Sequence, residues 1–521
     1  MPDQQQFLDA FNKGYTFKGE SMIIGAAMLD GNVIEGAQVK LPLKTFNRHG
    51  LIAGATGTGK TKTLQVISQA LSNASVPVLL MDIKGDLSGI AAPGTSNPIL
   101  EERMKKIGLA FSPEKMPVEL LTLSSQPGVR LRATVLEFGP ILISKILVLN
   151  DTQEGVVSMI FKYCDDNKLP LVDLKDFIRV LQFVSNEGKA SIEKDYGKIS
   201  TSSTGTILRK VIELQQQGAD LFFGEPSFDV NDLMRISDDG KGVISVLRVT
   251  DMQTRPKLFS TFMLSLLAEL YATLPEEGDM DKPKLVLFID EAHLVFQEAT
   301  SALLQQIETI IKLIRSKGVG IFFCTQNPQD IPASVLAQLG LKVQHALRAF
   351  TAADRKVIKQ AAENYPETTF YKVDELLTQL GIGEAFVTGL NEKGIPTPLV
   401  HTLLVSPSTR MDVLTDSEIS SLVSSSKLVS KYAKTIDGES AYEILNEKLA
   451  NATEAAAGEE KEKPVRKATA KAEKSTLETI LDSSVTKQVG RTAASIITRG
   501  LLGALGLGAK SSSKKKSTSW F

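Results

Sequence analysis

The chain has little with which to build a covalent or metal framework. Its 521 residues hold two cysteines, Cys164 and Cys324, each inside an apolar run and neither in a CxxC pair. A disulfide scaffold and a thiolate zinc site are therefore excluded, and a reducing compartment is expected. The four histidines, His49, His293, His345 and His401, are scattered, which argues against a histidine metal cluster. No run of about 18 apolar residues occurs, so no membrane-spanning helix is expected. The opening Met1-Pro2-Asp3-Gln4-Gln5-Gln6 has neither the basic nor the apolar stretch of a secretory leader, so secretion is not indicated and a cytoplasmic location is expected. Charge of one sign is also missing: 59 basic against 60 acidic residues leave a formal net charge of −1. A generally basic, nucleic-acid-coating surface is unsupported, and any DNA must be met locally, on loops or inside a pore. With 42% apolar and 23% charged residues a globular body is expected. The length admits one large core with insertions or two to three domains.

What is present is concentrated around Gly54-Ala55-Thr56-Gly57-Thr58-Gly59-Lys60-Thr61, which fits G-x-x-x-x-G-K-[ST] at every fixed position. A short apolar strand, Gly50-Leu51-Ile52-Ala53, precedes it, and apolar residues at helical spacing follow from Thr63. The glycines allow successive N–H groups to turn inward on a polyphosphate, and the helix N-terminus adds partial positive charge. Lys60 is expected to neutralise the β- and γ-phosphates and the Thr61 hydroxyl to hold Mg²⁺, so that ATP and Mg²⁺ are the expected cofactors. Gly54, Ala55, Thr56, Gly57, Thr58, Gly59, Lys60, Thr61 and the next residue, Lys62, form the expected nucleotide contacts.

The rest of the chain reads as an α/β protein with a mostly parallel central sheet. Residues 1–48 hold short apolar runs broken by Gly, Asp and Asn, read as a small β element. Val76 to Asp82 is a buried-strand pattern continuing into Ile83-Lys84-Gly85-Asp86. Asp82 and Asp86 there either face the nucleotide or cap a turn. From about 95 to 240 helical patterns dominate and suggest an inserted helical subdomain. The core resumes with Gly242 to Val249, a helix from about Lys257 to Thr273, and Lys284-Leu285-Val286-Leu287-Phe288-Ile289-Asp290-Glu291. Five consecutive apolar residues make a doubly buried strand with two carboxylates at its end. Asp290 is expected to reach Mg²⁺ through water, and Glu291 to polarise the attacking water. A helix over about 303–316 leads to a strand ending at Thr325-Gln326-Asn327-Pro328. Thr325 and Gln326 either sense the γ-phosphate or only turn the chain. Arg348, after a later strand, and Arg315, at the end of the preceding helix, are candidates for the cation that stabilises the transferring phosphoryl group. The core closes near 405. A helical segment occupies 406–452 and a charged linker 453–476, with a helix rich in small residues and a basic tail over 477–521. That last helix either docks on this or a neighbouring subunit or meets a protein or membrane partner.

The phosphate loop, Met81-Asp82-Ile83-Lys84-Gly85-Asp86, Phe288-Ile289-Asp290-Glu291-Ala292-His293, and Ile314-Arg315-Ser316-Lys317-Gly318-Val319-Gly320 leading into Thr325-Gln326-Asn327-Pro328 together resemble the bacterial HerA-like branch of the HerA/FtsK ATPases. The resemblance covers roughly residues 20 to 405. It implies a RecA-like P-loop NTPase core, a homo-hexameric ring with ATP sites between subunits, and movement of double-stranded DNA through the pore. On that likeness Lys60 and Thr61 bind phosphates and Mg²⁺, Asp290 and Glu291 serve metal and water, Gln326 senses, and Arg348 or Arg315 completes the site. A helicase or DNA translocase is the expected function. The alternative is an ATP-driven motor or switch acting on protein or at a membrane.

Overall fold

The central strands of the parallel core are dominated by apolar residues and buried at every position, as strands covered on both faces require. In the computed structural model, which describes residues 4–278, 280–296, 301–436 and 438–461, they belong to a twelve-stranded sheet. In chain order the strands are β1 Ser21–Leu29, β2 Asn32–Pro42, β3 Gly50–Ala53, β4 Val78–Asp82, β5 Val118–Thr122, β6 Val129–Arg130, β7 Ile244–Arg248, β8 Leu285–Ile289, β9 Val319–Thr325, β10 Leu341–Gln344, β11 Glu384–Thr388 and β12 Val400–Leu404. Across the sheet the order is β2-β1-β12-β11-β10-β3-β9-β8-β4-β7-β5-β6. From β10 to β6 neighbours pair in parallel, and from β10 to β2 they pair antiparallel. The register aligns Ala53 with Gln344 on one side and with Thr325 on the other, while Ile289 faces both Met81 and Phe323. The carboxyl ends of β3, β4, β8 and β9 therefore share one edge of the sheet, where α/β proteins place their functional loops.

The chain divides into two units, one running to Arg132 and resuming over Pro226–Thr435, the other Ala133–Glu225 with the described residues from Ile436 on. The first unit contains the sheet. Its amino-terminal β element is not a separate piece: β1 and β2 form a hairpin that continues the sheet through β12. The helix Gln4–Tyr15 ahead of it was not legible in the residue pattern. Its apolar face is three aromatics at spacing four, Phe7, Phe11 and Tyr15, all buried. Phe11 stacks on Tyr15 at 4.9 Å, and the Tyr15 hydroxyl donates to the Pro398 carbonyl at 2.9 Å.

The second unit is helical, with Val135–Ile146, Asp151–Asp166, Leu174–Ser185, Lys189–Tyr196, Thr201–Gln216 and Ala441–Lys461. Three of these helices start at reciprocal caps, Thr134 with Glu137, Asn150 with Gln153 and Asp173 with Asp176, each of which satisfies two otherwise unpaired N–H groups. The helical stretch is narrower than the expected 95–240. β5 and β6 lie inside that range and belong to the sheet. They escape a pattern search because one is two residues long and the other carries Glu119, buried against Arg235 at 2.6 Å. Ala441–Lys461 runs into the expected linker. The remainder of that linker, the small-residue helix and the basic tail lie outside the described residues.

Candidate functional site

The loop between β3 and the helix Lys60–Asn73 is held by its neighbours on the sheet edge. Gly54 N–H donates to Thr325 O at 3.2 Å, Ala55 N–H to Ala346 O at 2.8 Å and Gly383 N–H to Thr58 O at 3.1 Å, while Thr58 Oγ1 donates to Ala55 O at 2.7 Å. Gly54 has φ 151° and Gly59 φ 113°. A Cβ on Gly54 would stand 2.5 Å from His345 Cβ, so both the backbone angle and the space require glycine here. No side chain caps the helix that starts at Lys60, and its first N–H groups lie outside the helix's own hydrogen-bond ladder. Lys60 is buried, and its Nζ donates to Gly54 O at 2.6 Å and Ala55 O at 3.0 Å. Burial and the neighbouring Lys84 charge hold its ammonium below the ordinary lysine range, against the pull of Glu291 and Asp290. Two carboxylates more than two hundred positions away thus act on the loop lysine. Lys62 donates to Met411 O, and Thr63 Oγ1 meets His345 Nε2 at 2.9 Å.

Asp290 and Glu291 leave the end of β8 almost fully buried. Burial pushes the Asp290 carboxyl up to about 7, with the adjacent Glu291 raising it and Lys84 opposing. Its Oδ2 finds no partner among the described residues. Burying a carboxylate oxygen without a partner is costly, and a bound cation is one group that would satisfy it. Glu291 has φ 44°, a left-handed backbone seldom adopted by a residue with a side chain and worth roughly 1–3 kcal/mol of local strain. Its carboxylate pairs with Lys84 Nζ through one oxygen and approaches His293 Nδ1 at 3.2 Å through the other. Asp82 turns away from this pair. It accepts from the N–H groups of Gly85, Asp86 and Leu87 at 2.7, 3.1 and 3.2 Å, and so caps the turn. Asp86 approaches the loop: Thr61 Oγ1 donates to its Oδ2 at 3.4 Å, and its Oδ1 finds no partner among the described residues.

At the end of β9, Thr325 Oγ1 donates to Asp330 Oδ2 at 2.7 Å, and Asn327 caps the following turn by accepting from Gln329 N–H. Thr325 is thereby engaged downstream. Gln326 is exposed at the same sheet edge as the loop. Arg348 is exposed just beyond Ala346, the residue that accepts from Ala55. Arg315 lies elsewhere. It sits in the turn Arg315–Lys317 that enters β9, at the opposite edge of the sheet from the loop. There it lines a cleft of about 440 Å³ with Arg48, His49, Lys312 and Lys342. The structure thus gathers Lys60, Thr61, Asp290, Glu291 and Gln326 on one edge and does not bring Arg315 to them. Residue reading assigned no part to Lys84, His293 or His345. Lys84 could have been found as the cation between the two acids of the β4 turn. His345 carries no local signal, since only strand pairing brings it under the loop.

The Helicase HerA-like C-terminal family model matches residues 28–511. The chain is 22% identical over 361 residues to the DNA double-strand break repair helicase HerA of Sulfolobus acidocaldarius, covering 69% of this chain and 66% of that relative. It is 22% identical to the same-named protein of Saccharolobus solfataricus, covering 68% and 64%, and 25% identical to a probable helicase of Methanocaldococcus jannaschii, covering 70% and 68%. The chain thus spans about two thirds of the length of these relatives. Similar solved structures include the bacterial conjugative coupling protein TrwB, at 13% identity and a TM-score of 0.48 over 77% of this chain and 98% of that one. VirB4 of Thermoanaerobacter pseudethanolicus aligns at 15% identity and a TM-score of 0.45 over 75% and 98%. With a glycine cradle, a buried lysine and a carboxylate pair joined on one sheet edge, and with the model match running along nearly its whole length, this chain belongs to the HerA-like helicase family.

Proposed function

We propose that this chain hydrolyses ATP with Mg²⁺ and works as a ring-forming DNA translocase or helicase. The observation that carries the reading is the convergence of Lys60, Asp290 and Glu291 at one glycine loop, with Asp290 Oδ2 buried and unpartnered. The donor set fits the proposed cofactor: a hydroxyl on Thr61 and a carboxylate on Asp290 are hard oxygen ligands suited to Mg²⁺. Bound Mg²⁺ would supply neutralising charge to the phosphate oxygens. Lys60 contributes a fixed positive charge at the loop, and the N–H groups of Gly57 and Gly59, with the start of the following helix, hold the phosphates in place. Glu291 orients and deprotonates the attacking water as general base, and Gln326 donates to the γ-phosphate or that water. Arg348, exposed at the loop edge, and Arg315, exposed at the opposite edge, are groups a neighbouring copy's site would use. Membership of the HerA-like family supports the ring and double-stranded DNA as its partner. The test is ATP hydrolysis by the full chain with and without duplex DNA, alongside Glu291→Gln. Turnover is expected to rise with DNA and, in the variant, to fall by roughly 10² or more with nucleotide binding retained. Unchanged turnover in Glu291→Gln would remove Glu291 as the base, and indifference to any DNA would remove the translocase.

A further inference from the structure

The turn after β4 stands out in the sequence for its acids, yet the residue between them is the one that reaches the hydrolytic pair. Asp82 gathers three successive N–H groups of the turn, and Gln253 Nε2 donates to Ile83 O at 2.8 Å from the other side. Gly85 takes φ 80°, and a Cβ there would meet Thr250 Cγ2 at 3.1 Å, so the turn has one tightly specified shape. β4 and β8 run parallel with Met81 opposite Ile289. The residues just past their ends therefore face each other, and Lys84 Nζ lands on Glu291 Oε1. His293 Nδ1 stands at the other oxygen. A glutamate's last torsion is broad and two-fold, so an unheld carboxylate sweeps through many directions. Here the Lys84 ammonium stands against one carboxylate oxygen and the His293 ring 3.2 Å from the other, contacts of charge and proximity rather than well-directed hydrogen bonds, and the backbone is strained at φ 44°. An exposed ion pair contributes little; here the Glu291 side chain is 8% exposed and that of Lys84 32%. The loop lysine is occupied differently, with its Nζ on the carbonyls of Gly54 and Ala55.

We propose that Lys84 is a positioning residue of the hydrolytic centre: its ion pair sets the direction in which Glu291 presents its carboxylate, and it does not itself bind the phosphates. The inference rests on Glu291 being the base. A lysine that only offset the local negative charge would tolerate any cation and would leave turnover alone once the fold was intact. A positioning lysine controls kcat and leaves substrate affinity in place, because the geometry of the base matters in the transition state and not for binding.

The experiment uses the full chain and the variants Lys84→Gln, Lys84→Arg, Glu291→Gln and Lys84→Gln with Glu291→Gln. Three quantities are measured: steady-state ATP hydrolysis, the Kd of a fluorescent ATP analogue with Mg²⁺, and the melting temperature without nucleotide. In Lys84→Gln, kcat is expected to fall about tenfold or more while KM and Kd stay within about threefold, and Lys84→Arg should recover part of the rate. The two single substitutions should be non-additive in melting temperature, as paired charges are. A Lys84→Gln rate equal to or above that of the parent overturns the proposal. So does a Kd weakened more than about tenfold, which would make Lys84 a phosphate ligand. Additive melting shifts would show that the ion pair does not form. If the parent itself does not turn over ATP, the hydrolase reading fails instead, and the melting cycle still reports whether Lys84 and Glu291 are coupled.

Discussion

His49 and His345 are held neutral by the fold. His49 Nε2 meets Ile311 O at 2.8 Å and its Nδ1 accepts from Ile321 N–H at 3.0 Å, an arrangement only the neutral ring can make. Burial lowers its pKa to about 4, and Arg315 adds to the shift against the Ile311 bond. Burial likewise lowers His345 to about 4, with Lys60 adding to it. A histidine whose folded pKa is depressed must give up its site to become charged, so its contribution is intact above the ordinary value of about 6.5 and is lost as pH falls toward 4. The drop for each amounts to roughly 3–4 kcal/mol at most, from 1.36 kcal/mol per pKa unit. Denaturant unfolding at successive pH values from 7 to 5 is expected to show falling stability, and His49→Gln to flatten that slope. An unchanged slope in the variant would mean that another group carries the effect. At this scale the residue pattern pointed to Asp290, Glu291 and the loop because chemistry restricts which side chains can serve, and the fold brings them to one sheet edge. Asp82 and Asp86, indistinguishable as letters, divide into a turn cap and a neighbour of Thr61 through hydrogen bonds alone.

Among the elements, the central strands β4, β8 and β9 announce themselves as apolar runs bounded by polar ends, whereas the helix Gln4–Tyr15 does not. Its Phe7, Phe11 and Tyr15 have no strong helical preference, and the segment is stabilised by what it covers. Phe11 is 4% exposed and stacked on Tyr15. Phe11→Ala is therefore expected to cost about 3–5 kcal/mol, seen as a lower denaturation midpoint with an unchanged slope. A cost below about 1 kcal/mol would mean that the helix does not contribute to the core. β5 and β6 were missed for a different reason: β6 is too short for a period to show and β5 is interrupted by Glu119, and they owe their place to pairing, β5 on β7 and β6 on β5.

For the molecule as a whole, the site joins a loop near residue 54 to acids near 290 because β3, β9, β8 and β4 are neighbours in a sheet whose order differs from the order of the chain. Arg315 belongs to the other edge, beside Arg48, Lys312 and Lys342, so any part it takes in phosphoryl transfer must be played on another copy's nucleotide. Arg315→Ala is accordingly expected to lose about tenfold or more in turnover with nucleotide affinity unchanged. Mixing it with Lys60→Ala should restore activity, since each variant supplies the half the other lacks. Turnover that stays absent in the mixture would exclude an interfacial role.

The residue order was enough to single out the glycine loop with its distant acid pair and to give the class of fold, because a phosphate-cradle pattern and doubly buried strands each demand a narrow set of side chains within a short span. Tertiary packing settled the rest: which acid caps and which faces the loop, that Lys84 meets Glu291, and that Arg315 stands away from the site. Those outcomes depend on strand order and register, which arise from burial summed over the whole sheet and leave no mark in any short stretch of sequence.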